Sequence, residues 1–208
     1  MSFASAERAK LRDLLLEVGP NAPTLCEGWM TRDMAVHLWL RERRPDAMAG
    51  MFFNPLAGHL NDLTRKQKNR PYEAVVREWA SGPGRFSPVR LIDAPLNTVE
   101  HFIHHEDVRR GGGEVNPRDF SQRVNELLWG YCGRIAPMML RRSARPVVLE
   151  GRGMRPIVAA DKRGVVEKGD AVVRVQGDPG EILLWCYGRS AVEVTVSGNE
   201  ADVVKSSL

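Results

Sequence analysis

Over the first two thirds of the chain, hydrophobic residues recur three and four positions apart, which is the spacing of amphipathic helices. The clearest stripe begins at Leu11 and is stopped by Gly19-Pro20. Thr31 is a suitable N-cap for a second helix, which Pro45 ends. The pattern therefore predicts a largely helical first region.

Weaker patterns extend this helical region. A short helix is expected after Pro55, and Asn97 or Thr98 is expected to cap a helix that runs into the three glycines at 111–113. The remaining helices are predicted at 72–81 and at about 117–141.

The pattern changes near residue 145, where short valine-rich runs are separated by glycine and charged turns, as in β-strands. Asp178 and the proline after it are expected to start one more helix. The strands are predicted within 145–151, 155–161, 170–177 and 191–198. The sequence thus predicts an α+β protein with two domains, a helical bundle at 1–142 and a small α+β domain at 145–208.

The segment from 97 to 110 carries the strongest candidate chemistry. Glu100, His104 and Asp107 share one face of the predicted helix. His37, in the second predicted helix, could supply a third ligand, because two imidazoles and one carboxylate leave open positions on zinc. Nickel, cobalt and iron(II) accept similar ligands, so the set predicts a divalent transition metal without selecting one.

The residues alone leave alternatives open. His101 and His105 form a second pair four positions apart, about 100° around the helix from the first, and could be the ligands instead. Glu100 and His104 could also form only a polar helix face. Asp107 could hydrogen-bond a ligand histidine, or it could pair with Arg110 near the helix end.

Composition narrows the class of protein. The chain has 208 residues, 43% of them hydrophobic, and neither a membrane span nor a signal peptide is recognisable, so a cytoplasmic protein is expected. Cys26, Cys132 and Cys186 form no C-x-x-C pair, and the last two are expected in the core. The net charge is +4, but no nucleic-acid-binding motif accompanies it, so a nucleic-acid partner is not expected.

Three segments resemble one known family. They are L-C-E-G-W-M-T-R-D-M-A-V-H-L, N-T-V-E-H-F-I-H-H-E-D and V-R-V-Q-G-D-P-G-E-I-L-L-W-C-Y-G-R. Together they resemble the mycothiol-dependent maleylpyruvate isomerase-like proteins, and the closest resemblance is to an uncharacterised actinobacterial branch. This resemblance implies an N-terminal DinB-like four-helix bundle that binds metal and a small C-terminal domain like the sterol-carrier proteins.

The resemblance also assigns residues. It implies metal ligands at His37, Glu100 and His104, with Asp107 at the family's acidic position and Arg189 facing the active cleft. The resemblance also implies that His101 and His105 lie at the surface or at the edge of the cleft. The family pattern usually has an aromatic residue between the second ligand histidine and the aspartate. In this chain His105 and Glu106 fill that gap, so maleylpyruvate itself is not the expected substrate.

The predicted function follows from these assignments. We expect an enzyme that depends on zinc or another divalent transition metal and uses a small-molecule thiol, mycothiol. It would transfer the thiol to an electrophilic substrate or isomerise that substrate. No cysteine is close in sequence to the proposed ligands, so the sulfur is expected to come from this thiol. The alternative is a non-enzymatic protein that binds metal or a small ligand. The sequence leaves the oligomeric state open.

Overall fold

The first unit of the protein, Met1–Gly112, is built from helices. The structure is a computed structural model that describes residues 2–48, 50, 54–82, 89–161, 164 and 171–206. The helices of the first unit are α1 Phe3–Val18, α2 Thr31–Arg43, α3 Pro45–Met48, α4 Asn54–Lys68, α5 Tyr72–Ala80 and α6 Val89–Arg109.

Helix α1 packs against α5 and α6, while α2 packs against α4 and α5. Helices α1, α2 and α5 contribute stripes at helical spacing to a shared core, such as Leu11 and Leu15 of α1 and Met34 and Leu38 of α2. Removing this apolar surface from water is the main force that holds the helices together. The predicted helical first region is therefore confirmed.

Two predicted helix starts are wrong. Thr31 is the first residue of α2 rather than its N-cap, and its hydroxyl donates a hydrogen bond to the carbonyl oxygen of Gly19. Helix α6 begins at Val89, well before Asn97 or Thr98. Pro95 lies inside the helix, where its missing N–H removes one backbone hydrogen bond without ending the helix.

The second unit, Gly113–Leu208, combines helices with one sheet. The strands have the order β2-β1-β3-β4, in which β1 and β3 are parallel and the outer pairs are antiparallel. Helix α8 packs on α7 and on the sheet. The elements are α7 Gln122–Met139, β1 Val147–Gly151, β2 Ile157–Ala159, β3 Val173–Gly177, α8 Pro179–Cys186, β4 Val194–Ser197 and a 3₁₀ helix at Glu200–Asp202.

The α+β class is confirmed, and the four strands fall within the four predicted segments. The units divide elsewhere than expected, however, because the break lies between Gly112 and Gly113 and not at 142–145. The reason is that α7 packs against α8 and β2 and so belongs to the second unit. The composition change near 145 marks the passage from helix to strand within that unit.

Within the described part of the chain, the helices are all too short or too polar to cross a membrane.

Candidate metal centre

Helix α6 carries most of the candidate site. Every residue from 101 to 108 is buried, although five of the eight are histidines or acids. The helical repeat places Glu100, His104 and Asp107 on one face, as the sequence predicted. Their side chains also contact one another.

His104 lies between two carboxylates. Its Nε2 is 3.2 Å from Glu100 Oε2, and its Nδ1 is 3.0 Å from Asp107 Oδ2. A neutral imidazole has only one N–H, so it cannot donate to both acids. For both contacts to be favourable, the ring must therefore carry either two protons or one proton and a cation bound at the second nitrogen.

The charges around the ring favour its protonated form. Burial opposes a positive charge on His104, but hydrogen bonds with Asp107, Cys26 and Glu100 outweigh burial and hold the pKa of His104 well above its usual 6.5. Burial alone would raise the pKa of Glu100, yet the hydrogen bond and charge of His104 and the charge of Arg41 lower it to about 2. Glu100 is therefore an anion at neutral pH.

His37 approaches this pair from α2. Its ring centroid is 5.2 Å from that of His104 and 5.2 Å from that of Trp29. Burial and the nearby His104 lower the pKa of His37 to about 4, so its ring is neutral at pH 7 and offers a lone pair. Donor atoms of His37, Glu100 and His104 all lie within 4.8 Å of one another, although they come from two helices.

Arg41 lies one turn beyond His37 on α2 and reaches the same acid. Its Nε is 3.5 Å from Glu100 Oε2. The guanidinium thus places a permanent positive charge at the edge of the group of donor atoms. The sequence pattern does not single out Arg41, because its partner Glu100 lies on another helix.

Cys26 also belongs to this neighbourhood. Its Sγ is 3.2 Å from Asp107 Oδ2, and donor atoms of Cys26, His104 and Asp107 form a second group within 4.8 Å. The cysteines are distant from the proposed ligands along the chain, but Cys26 lies beside His104 and Asp107 in space. Cys26 is in a loop without periodicity, so the sequence could not identify Asp107 as its partner.

The loop that carries Cys26 is attached to the end of α6. The N–H of Leu25 donates to the carbonyl oxygen of Asp107 at 3.0 Å. Gly111 lies directly against this loop, and a Cβ on it would fall 2.0 Å from the carbonyl oxygen of Pro23. The first of the three glycines therefore permits a backbone contact in addition to ending the helix.

Asp107 makes the contact that is required by the first of its two interpretations, in which it hydrogen-bonds a ligand histidine. Its carboxylate contacts His104, the partner expected if it orients a ligand histidine. Arg110, the rival partner, forms an ion pair with Glu106 instead, with Nε 2.7 Å from Oε2. The geometry thus favours the orienting role over a solvated ion pair at the helix end.

The prediction that His101 and His105 lie at the surface or cleft edge is wrong. Both are buried, and each contacts a buried glutamate on another helix. His101 Nε2 is 3.2 Å from Glu42 Oε1, and His105 Nδ1 is 2.8 Å from Glu7 Oε2. These pairs connect α6 to α1 and α2, and they are separate from the group around His104.

Glu42 accepts further hydrogen bonds within the core. Arg8 Nη1 lies 2.7 Å from its Oε2, and Trp79 Nε1 lies 2.9 Å from its Oε1. A signal in the sequence could have revealed both buried acids, because Glu7 and Glu42 stand four residues from core leucines. Charged residues on an apolar stripe indicate buried partners.

Arg189 belongs to the second unit. It follows α8, and its Nη1 donates to the carbonyl oxygen of Tyr187 at 2.9 Å. Its proposed task towards an anionic substrate stays a prediction. Cys132 and Cys186 are buried as expected, and burial raises the pKa of the Cys186 thiol to about 12.

A small cavity of about 180 Å³ borders the centre at His37. Its lining comes from α2, α4 and Trp29. A larger, more open hollow in the second unit, about 620 Å³, is lined by charged, polar and apolar residues at the ends of β1 and β3 and on β4.

Comparisons of the chain with protein-family models, with curated proteins and with solved structures found no match.

Proposed function

We propose that the protein binds one divalent transition metal through His37, Glu100 and His104 and uses it in an enzymatic reaction with a low-molecular-weight thiol. The observation that carries the metal site is the position of His104 between two carboxylates, beside a neutral His37. A cation at Nε2 would satisfy Glu100, while Asp107 keeps the proton on Nδ1.

The donor set fits such an ion. Two imidazole nitrogens and one carboxylate oxygen, all close together, leave a position open for a substrate or thiol. Ligands must be deprotonated to bind a metal. His37 and Glu100 already meet this requirement at pH 7, so binding would release the single Nε2 proton of His104.

A bound divalent metal would supply a Lewis acid and keep a coordinating thiol deprotonated. Asp107 would hold the ring of His104 in the orientation that directs Nε2 towards Glu100. Cys26 contacts Asp107, on the Nδ1 side of the ring, and so would leave the open position to an external thiol. Arg41 would offer a positive charge to an anionic group near Glu100.

The identity of the thiol rests on the resemblance described above. Mycothiol as the thiol, a DinB-like bundle, a sterol-carrier-like second unit and Arg189 as the partner of an anionic electrophile all belong to this proposal. A location in the cytoplasm likewise stays a prediction. The rival function is a non-enzymatic protein that binds metal or a small ligand with the same residues.

Metal content tests the site. Wild-type protein loaded with zinc and dialysed should retain one equivalent by mass spectrometry, and His104→Ala should retain almost none. His59→Ala is the matched control, because His59 is an exposed histidine on α4 that contacts Asp46. Equal metal in all three proteins, with folding verified by circular dichroism, would disprove the ligand assignment.

The thiol step needs a separate test. In cobalt-substituted protein, mycothiol should produce intense near-ultraviolet bands of thiolate-to-cobalt charge transfer, whereas the metal-free protein should give none. An unchanged cobalt spectrum at saturating thiol would exclude the thiol mechanism and leave the metal site standing. Thiol bands without turnover of any electrophile would favour the non-enzymatic alternative.

A further inference from the structure

The small cavity beside His37 has an ordered arrangement of side chains. Helices α2 and α4 line it from opposite sides. Asp33, His37 and Leu40 face it from successive turns of α2, and Lys68 and Leu60 face it from α4. Lys68 of α4 forms an ion pair with Asp33 of α2, so both charged residues lie at the same end of the cavity.

This arrangement gives the cavity a gradient of polarity. The Asp33–Lys68 ion pair lies at one end, and His37 and Thr64 lie in the middle. Beyond His37 the lining is apolar, formed by Leu40 and Leu60, while Val36 and Trp29 lie next to His37 itself. A molecule held at His37 would therefore extend its apolar part towards the two leucines.

The volume limits what can enter. An engineered apolar cavity of about 150 Å³ accommodates benzene. The cavity here is about 180 Å³ and so fits a group of roughly six or seven non-hydrogen atoms. Drug-sized ligands occupy pockets of about 300 Å³ or more, so only part of a larger acceptor would lie within it.

We infer that this cavity binds the apolar part of the molecule that reacts at the centre, a single ring or an unbranched chain of about six carbon atoms. The inference rests on the proposed function, since it takes His37 to be a ligand at the reacting end. It specifies a compact, apolar electrophile or thiol substituent as the preferred partner.

A probe that binds no metal tests the cavity by itself. Fluorobenzene, followed by fluorine NMR on metal-free protein, should bind saturably to the wild type. Leu60→Trp fills the apolar end and should weaken binding at least tenfold. Lys66→Trp is the matched control, because it adds the same side chain at an exposed position of the same helix and should bind as the wild type does.

Alkanethiols of two to eight carbons test the connection to the centre. On cobalt-loaded wild type, affinity read from the cobalt spectrum should rise about fourfold for each added methylene. It should level off near six carbons, and Leu60→Trp should level off several carbons earlier. Thr64→Phe, which fills the middle of the cavity, serves as a second variant if Leu60→Trp does not fold.

The outcomes distinguish failure of the cavity as a ligand site from failure of the proposed metal function. No saturable fluorobenzene binding, or equal binding by the filled variants, overturns the cavity as a ligand site. Thiol affinity that is independent of chain length overturns its connection to the centre. Fluorobenzene binding that follows the variants, in a protein that takes up no zinc or cobalt on loading, supports the cavity and disproves the proposed metal function.

Discussion

A helix of the second unit and a segment of a helix in the first unit are both buried but have opposite character. Every residue of α8 is buried, and nearly all of them are apolar; its one acid, Glu181, accepts the N–H of Glu193. Residues 101–108 of α6 are equally buried, but they include three histidines and two acids. Burial stabilises α8 directly, whereas burial of the charges of α6 is costly unless each is paired.

The difference explains why the candidate chemistry lies on α6. Pairing fixes the positions of buried charged groups, since a small displacement leaves a desolvated charge without a partner. His101 and His105 are held in this way by Glu42 and Glu7. His104 differs from both, because two carboxylates contact one ring and a neutral second histidine lies beside it.

The largest expected effect is a loss of stability on removing one buried acid. Glu42→Ala leaves His101, Arg8 and the indole of Trp79 without the carboxylate that they share. We expect the free energy of unfolding to fall by about 3–5 kcal/mol, measured by urea denaturation. Glu73→Ala, at an exposed position on α5, should change it by less than about 0.5 kcal/mol. Equal losses of stability in the two variants would show that the buried charge pair between Glu42 and His101 of α6 has no special importance for stability.

His101→Ala should separate structure from metal binding. It leaves Glu42 without one partner, so we expect a loss of about 1–3 kcal/mol in the free energy of unfolding. Metal content under folding conditions should nevertheless stay near that of the wild type, because His101 faces Glu42 rather than His37. Loss of metal from folded His101→Ala would show that the wrong pair of histidines was chosen.

Asp107→Asn tests the orienting role at the other nitrogen of His104. The amide keeps the shape of the side chain but removes its charge, and we expect metal affinity to fall about 10- to 100-fold. Competition with a chromophoric chelator measures the affinity. Asp62→Asn, an exposed acid on α4, is the matched control and should leave it unchanged. Unchanged affinity in Asp107→Asn would reduce Asp107 to a structural residue.

The pH dependence of the metal-free protein gives a finer test. The raised pKa of His104 contributes stability that is complete below 6.5 and is lost as pH rises above that value. The pKa of His37, lowered to about 4, makes stability fall as pH drops from 6.5 towards 4. The contribution of this pair should therefore be greatest near pH 6.5, with slopes of at most about 1.4 kcal/mol per pH unit for each residue.

Urea midpoints between pH 4 and 9 would measure these slopes. His37→Gln should reduce the change of stability with pH below pH 6.5, and His104→Gln should reduce it above pH 6.5. If neither variant altered the pH dependence in its range, the two pKa shifts would not describe the folded protein. In the metal-loaded wild type, the alkaline loss should disappear, because the metal replaces the proton on Nε2.

Periodicity predicted much of the fold. The helical first region, the four strands and the α8 start at Asp178 follow local rules of spacing and capping. The division between units was not predictable in this way, because α7 has the same helical pattern whichever neighbours it packs against. Its assignment depends on long-range contacts with α8 and β2.

The candidate site was predictable to a similar extent. Spacing placed Glu100, His104 and Asp107 on one face and allowed His37 as a third ligand, but only the resemblance selected this set over His101 and His105. The partners of His101 and His105 come from α1 and α2, so spacing within α6 could not identify them. Cys26 reaches Asp107 across 81 positions of the chain, a contact that no local pattern encodes.

The close approach of Gly111 to Pro23 also has a consequence for the order of folding. The loop that carries Cys26 can take its final position only after the end of α6 has formed, because its contacts are with Asp107 and Gly111. Contacts between residues so distant in sequence require closure of a long loop and form slowly. The centre should therefore be completed late in folding, after the helices that carry its individual residues.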